Sequence, residues 1–190
     1  MIQQLRALPN QLTLLRLSII PFLALAILDA HYHRALVLLV IAGLSDGLDG
    51  FLARRFGLRT QLGAYLDPIA DKLLLSTLFL VLTHMGLVPL HITLMVFSRD
   101  LGILIVAALL YNTVNMRDFS PSIFGKANTL AQIMAVTAVV LAKSYAPGWL
   151  LWLRHEALQA TLWLTWISGF HYLWLCGKRL GHPQSMPAQT

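Results

Sequence analysis

The chain has 190 residues, of which 57% are hydrophobic and only 12% are charged, and its mean hydropathy is +0.69. Soluble domains carry charge on about a quarter of their residues, so this composition excludes an ordinary soluble domain and predicts an all-α integral membrane protein. The net charge of +6 is then best explained by basic loops on one side of a membrane and by attraction to anionic lipid, and no nucleic acid partner is expected.

Taken in chain order, the apolar segments predict six transmembrane helices after a short N-terminal interfacial segment at residues 1–9. A span needs about 20 residues. We expect the six at residues 12–28, 35–56, 61–84, 91–111, 126–141 and 157–176. Residues 143–156 mix Pro, Gly and two Trp with charged residues, which is typical of a membrane interface. The sequence therefore predicts a single membrane domain at residues 1–180 and a polar C-terminal tail at residues 181–190.

The basic residues predict the orientation of this domain. Six spans place both termini on one side, where we expect Arg6, Arg54, Arg55, Arg59, Arg117, Lys126, Lys178 and Arg179. The opposite side would hold only Arg34, Lys143 and Arg154. Because cytoplasmic loops carry the excess of Lys and Arg, the termini are expected in the cytoplasm, in a bacterial inner membrane or its equivalent.

Half of the acidic residues lie together in the second and third predicted helices. Asp46, Asp49, Asp67 and Asp71 are four of only eight acids in the chain. Each pair has helical spacing and therefore shares one face, and the turn at residues 57–60 is short enough to pack the two helices antiparallel. Carboxylates in an apolar protein need a compensating cation. Hard divalent cations prefer several carboxylate oxygens, so one or two Mg²⁺ or Mn²⁺ ions are expected here.

Small residues accompany these carboxylates. Gly50 and Ala53 share the face of the first acidic pair, and Gly63 shares the face of the second. Without bulky side chains, these positions leave a slot in which a large group can lie against the backbone. Arg54 follows the slot and is placed to meet a phosphate at the membrane surface. Asp71, the deepest of the carboxylates, is the candidate general base for an incoming hydroxyl.

The whole motif, D-x2-D-G-x2-A-R-x8-G-x3-D-x3-D over residues 46–71, resembles the signature of the CDP-alcohol phosphatidyltransferase family at every specified position. The resemblance extends over most of the chain. Residues 9–16 (PNQLTLLR) and residues 98–132 are similar to the phosphatidylglycerophosphate synthases and cardiolipin synthases of that family. It implies six transmembrane helices, often assembled as a homodimer, and an active site that faces the cytoplasm.

The resemblance also implies roles for the residues of the motif. Asp46, Asp49 and Asp67 would hold the divalent metals, with Asp71 close to them. Asp71 would activate an acceptor hydroxyl, which attacks the lipid-side phosphate of CDP-diacylglycerol and releases CMP. The nucleotide would lie against Asp46, Gly50, Ala53, Arg54 and Gly63.

Basic residues outside the motif are candidates for binding the phosphate of an acceptor. We include Arg99 in the fourth span, Arg117 and Lys126 near the fifth, and Arg16 in the first. Interhelical pairing of Arg99, a loop charge at Lys126 and snorkelling of Arg16 stay open as alternatives. For Lys72, balancing the carboxylates or snorkelling is favoured over a functional role.

The acceptor and the reaction class each leave alternatives. Residues 98–100 (SRD) and 121–132 favour a cardiolipin-synthase-like enzyme that uses phosphatidylglycerol. The alternative is a phosphatidylglycerophosphate synthase that uses glycerol 3-phosphate, although that group more often has Glu where this chain has Asp100. A membrane prenyltransferase would also use Asp-rich helices and Mg²⁺, but the short chain with one two-helix cluster disfavours it. A cation transporter, which is not an enzyme, is disfavoured by acids near a helix end.

Overall fold

The computed structural model describes residues 8–55, 61–114, 123–145 and 147–181. Within these ranges the chain forms six helices and no strands: α1 (Leu8–Leu28), α2 (Tyr32–Arg55), α3 (Gln61–His84), α4 (Leu90–Val114), α5 (Ile123–Tyr145) and α6 (Gly148–Gly181). The all-helical prediction is confirmed. Residues 1–7, most of the predicted interfacial segment, and residues 182–190 of the predicted tail lie outside the described part.

Two helices in the described ranges are long and apolar enough to cross a membrane. They are the segments Asn10–Leu28 and Gly125–Tyr145, with mean hydropathies of 2.0 and 1.3. The expectation of six spans is thus met by this criterion only for α1 and α5. The other helices carry polar residues, such as Asp46 in α2, Asp71 in α3 and Arg99 in α4, which lower their hydropathy.

Helix α6 begins earlier than the sixth predicted span and is 34 residues long. The residues assigned to an interface, from Gly148 onward, form its first turns. Hydropathy indicates where a helix can cross a membrane, whereas the helix itself depends on backbone hydrogen bonds and can extend beyond the apolar segment. The Leu150 amide already donates to the Pro147 carbonyl at 3.0 Å. Trp149 and Trp152 remain 66% exposed on these turns, in keeping with their interfacial composition.

The turns that end α1 and α3 have the same hydrogen-bonding pattern. After α3, Gly86 has a φ of 67°, and the Leu87 amide donates to the Leu82 carbonyl at 2.8 Å. After α1, Ala30 has a φ of 56° in an equivalent position. A left-handed residue at this point satisfies the last carbonyls of a helix, and glycine adopts it with the least strain.

The helices pack as two groups that meet along α2 and α5. Helix α1 lies against α2 and α3, while α6 lies against α4 and α5. The shared core includes Ile27 of α1, Phe79 and Leu82 of α3, and Val139 of α5, all with 0% exposure. Because α1 touches both α2 and α3, its polar face meets the two helices that carry the aspartates.

Candidate active site

The polar face of α1 is buried against the aspartate-bearing helices. Asn10, Thr13 and Arg16 recur at intervals of three residues, and their exposures are 1%, 0% and 0%. Residues three apart on a helix lie on the same side, so this face was foreseeable from the spacing. An arginine with 0% exposure needs ionic partners, because a buried unpaired charge is strongly destabilising.

Arg16 finds these partners on two different helices. Its Nη2 lies 2.9 Å from Asp46 Oδ1 on α2, and its Nη1 donates to Asp71 Oδ1 on α3 at 2.7 Å. The hydroxyl of Thr13 donates to Asp67 Oδ1 at 2.6 Å. Helix α1 therefore supplies one donor group to each of three aspartates of the motif.

These contacts test whether the carboxylates suit a cation. Asp46 and Asp71 come from separate helices, yet one oxygen of each lies within 3 Å of the same guanidinium group. Their side chains are 50% and 43% exposed, so they are accessible from outside the helix bundle. Two convergent carboxylates are the hard oxygen ligands that Mg²⁺ and Mn²⁺ prefer, and the donor set therefore fits a divalent metal. Among the described side chains, however, no three His, Cys, Asp or Glu residues form a metal-binding group.

A cavity of about 310 Å³ opens beside this charged cluster. Arg16, Asp46 and Asp71 line it together with apolar residues of α2, α3 and α5, including Leu44, Leu78 and further aliphatic side chains. The volume lies within the usual range for ligand pockets, about 300–1,000 Å³. The cavity thus joins charged groups to an apolar surface.

A second charged network lies on the α4 side of α3. Lys72 Nζ is 2.5 Å from Asp100 Oδ2, and Arg99 Nη1 is 2.7 Å from Asp100 Oδ1. Arg99 also donates from Nε and Nη2 to the Ser168 hydroxyl of α6, at 3.2 and 2.8 Å. The network joins three helices. The ion pair of Arg99 thus lies within α4, and its contact with another helix is the hydrogen bonding to Ser168. The acceptor role of Arg99 stays a prediction.

The sequence reasoning missed two buried amides on α5. Asn128 and Gln132 each have 0% exposure. Asn128 Oδ1 accepts a hydrogen bond from Thr165 at 3.0 Å, whereas both amide atoms of Gln132 lack a partner within the described part of the chain. Two amide side chains four residues apart on an apolar helix share one face, and this spacing could have predicted a buried polar pair.

Comparison with known proteins now identifies the family. The model of the CDP-alcohol phosphatidyltransferase family matches residues 6–171. The chain belongs to the CDP-alcohol phosphatidyltransferase family. Cardiolipin synthase (CMP-forming) of Homo sapiens is 34% identical over 154 residues, which cover 70% of this chain and 50% of the relative. The chain therefore spans about half the length of the human protein and of its rat counterpart.

Two bacterial relatives match over more of their length. The CDP-diacylglycerol–glycerol-3-phosphate 3-phosphatidyltransferase of Bacillus subtilis is 30% identical over 181 residues, which cover 87% of this chain and 92% of the relative. A probable phosphatidylglycerophosphate synthase of Mycobacterium tuberculosis is 34% identical over 173 residues, which cover 87% and 79%. The predicted family is confirmed, and relatives carry the names of both enzyme types that the sequence resembles.

The structure describes only some of the residues that the CDP-alcohol phosphatidyltransferase motif singles out. It brings Asp46, Asp67 and Asp71 to the polar face of α1. The remaining motif side chains lie outside the described ones: Asp49, Gly50, Ala53, Arg54 and Gly63. Arg117 also falls outside the described residues, and Lys126 is exposed in the first turn of α5. The roles of these seven residues stay predictions.

Proposed function

We propose that this chain transfers the phosphatidyl group of CDP-diacylglycerol to a hydroxyl of a glycerol-based acceptor and releases CMP. The convergence of Asp46 and Asp71 in the lining of a largely apolar cavity carries this proposal. A donor of this class has a charged diphosphate, which requires cations, and acyl chains, which require an apolar surface. The cavity lining places charged groups beside an apolar surface. Membership of the family supports the same reaction.

We propose six membrane spans with the site open to the cytoplasm of a bacterial inner membrane. The helices that miss the hydropathy criterion have 24, 24, 25 and 34 residues, so each exceeds the roughly 20 residues that a span needs. The excess of basic residues on the side of the termini supports the orientation. A homodimer belongs to the same proposal through the family resemblance.

The proposed metal ligands are the carboxylates of Asp46, Asp49, Asp67 and Asp71, with Mg²⁺ or Mn²⁺ as the ion and two ions as the expected number. Members of the family generally depend on a divalent metal. When bound, such ions neutralise the donor diphosphate and stabilise its leaving oxygen. Arg16 already brings one oxygen of Asp46 and one of Asp71 to a single positive charge, which supports a shared cation position.

In the proposed reaction, Asp71 accepts the proton of the acceptor hydroxyl. The hydroxyl oxygen forms a new bond to the phosphorus that carries the diacylglycerol. The bond from this phosphorus to the bridging oxygen of the diphosphate breaks, CMP leaves with the electron pair, and the proton passes from Asp71 to water. The 2.7 Å hydrogen bond from Arg16 holds one Asp71 oxygen and so orients the carboxylate before the hydroxyl arrives.

We propose phosphatidylglycerol as the acceptor, as in a cardiolipin synthase. The similarity at residues 98–100 and 121–132 supports it, as does a human relative with that enzyme name. Glycerol 3-phosphate is the second candidate. It is favoured by the Bacillus subtilis relative, whose name specifies that acceptor and whose match covers 92% of its length.

The decisive experiment supplies the purified protein with labelled CDP-diacylglycerol and either phosphatidylglycerol or glycerol 3-phosphate. We expect metal-dependent release of CMP with one acceptor, and the labelled lipid product identifies which. Asp71→Asn should abolish turnover, whereas Asp29→Asn, which changes an exposed aspartate at the other end of α1, should leave it unchanged. In a parallel incubation with an allylic diphosphate, release of diphosphate would show a prenyltransferase. Metal-dependent ion flux into vesicles that contain the protein, without CMP release, would show a transporter.

A further inference from the structure

Two adjacent residues of α3 face different partners. Asp71 lies against Arg16 of α1, while Lys72 lies against Asp100 of α4. Neighbours on a helix point about 100° apart, so the backbone of α3 separates the two contacts by a single residue. Consecutive Cα atoms are about 3.8 Å apart, so the long side chain of Lys72 begins one residue from the carboxylate that would meet the acceptor hydroxyl.

Asp100 pairs with two cationic side chains, which differ in their exposure and in their remaining hydrogen-bond donors. Its Oδ1 contacts Arg99 and its Oδ2 contacts Lys72. The Arg99 side chain is 7% exposed and directs three donor atoms to Asp100 and Ser168. The Lys72 side chain is 43% exposed, and an ammonium group has three donors, of which Asp100 engages one. Lys72 is thus the accessible cation of the network.

Within this network the cations outnumber the anion. Lys72 and Arg99 share the single carboxylate of Asp100. The exposed ammonium group of Lys72 can therefore take an anion as a second partner without losing its contact with Asp100. Both acceptor candidates carry a phosphate on the same glycerol as the reacting hydroxyl.

We propose that Lys72 binds the phosphate of the acceptor and that Asp100 is the positioning residue that fixes its ammonium group next to Asp71. This inference rests on the proposed function, because it assumes a phosphate-bearing acceptor. Arg99 then acts through Asp100 and Ser168, and Lys72 is more than a counter-charge for the aspartates. The fixed ammonium lowers the entropy lost when the phosphate binds.

The test measures CMP release by the full-length protein while the acceptor and CDP-diacylglycerol are varied in turn. The variants are Lys72→Met, Lys72→Arg and Asp100→Asn, with Lys143→Met as the matched control because Lys143 is exposed at the end of α5. Phosphatidylglycerol and glycerol 3-phosphate are separate arms. We expect Lys72→Met to raise the KM for the active acceptor at least tenfold, as for the loss of one charge-assisted hydrogen bond. The KM for CDP-diacylglycerol should change less than about threefold on the same scale.

Further outcomes separate binding from a structural role. Lys72→Arg should recover most of the acceptor affinity, and Asp100→Asn should raise the acceptor KM without changing the donor KM. A rise in the donor KM alone, an unchanged acceptor KM, or a fall in kcat with both KM values intact would each overturn the inference. If Asp100→Asn does not fold, the two Lys72 variants still decide the question. A wild-type protein that releases no CMP with either acceptor would instead refute the proposed function.

Discussion

Replacing Arg16 with Gln removes the positive charge that Asp46 and Asp71 share. The guanidinium has 0% exposure and lies 2.9 and 2.7 Å from the two carboxylates. Removing one partner of a buried ion pair costs about 3–5 kcal/mol. Because the two carboxylate side chains are 50% and 43% exposed, water screens them, and we expect roughly half of that cost, about 2 kcal/mol.

Thermal unfolding of the purified protein in detergent measures this loss. For a domain of this size, about 1 kcal/mol corresponds to about 2–4 °C in Tm, so Arg16→Gln should lower Tm by roughly 4–8 °C when a chelator is present. Excess Mg²⁺ should recover part of this loss, because a bound cation replaces the missing charge between the carboxylates. Arg16→Lys keeps the charge but loses the two-pronged geometry, so its Tm should lie between the two proteins.

Arg34→Gln is the matched control, since Arg34 is exposed near the start of α2. It should shift stability by less than about 0.5 kcal/mol. The reasoning would be refuted if Arg16→Gln were as stable as the wild type in chelator. It would also fail if Mg²⁺ stabilised the variant no more than it stabilises Arg34→Gln, because Arg16 would then contribute packing and no charge compensation.

Three other changes test single contacts. Thr13→Val removes the 2.6 Å hydrogen bond to Asp67 and should lower turnover in the CMP assay about tenfold, whereas Thr13→Ser should retain most activity. Ala30→Gly should raise unfolding stability by about 0.5–1 kcal/mol, because glycine adopts the observed φ of 56° without strain; a lower Tm would contradict this. Gln132→Met should raise stability by about 1 kcal/mol in denaturation experiments, because it removes two buried atoms without partners, and a loss of stability would reveal a polar partner of this amide.

The positions of the helices were largely predictable from the sequence. Helix α3 covers the predicted residues 61–84. The turn predicted at residues 57–60 set the expected start of this helix, and the turn at Gly86 follows its end. The start of α6 was missed by nine residues, since the prediction followed hydropathy, and the exposed Trp149 and Trp152 belong to the helix all the same.

The candidate site was predictable as two stripes of carboxylates, but its partners were not. Periodicity shows which residues share a face of one helix, and the spacing of three between Thr13 and Arg16 is enough to put both on one face of α1. It contains no information about which helix lies opposite, so the contact of Arg16 with Asp71, 55 residues away, required the tertiary structure. The contacts of Lys72 with Asp100 and of Ser168 with Arg99 could not be predicted for the same reason.

The contacts of Arg16 also bear on how the chain enters the membrane during synthesis. Helix α1 is synthesised before α2 and α3, and Asp71 follows Arg16 by 55 residues. A lone arginine costs about 2.5–3.5 kcal/mol at the centre of a spanning helix. In the proposed six-span arrangement, we therefore expect α1 to remain near the aqueous boundary until Asp46 of α2 and Asp71 of α3 have been synthesised, so that the three helices insert together.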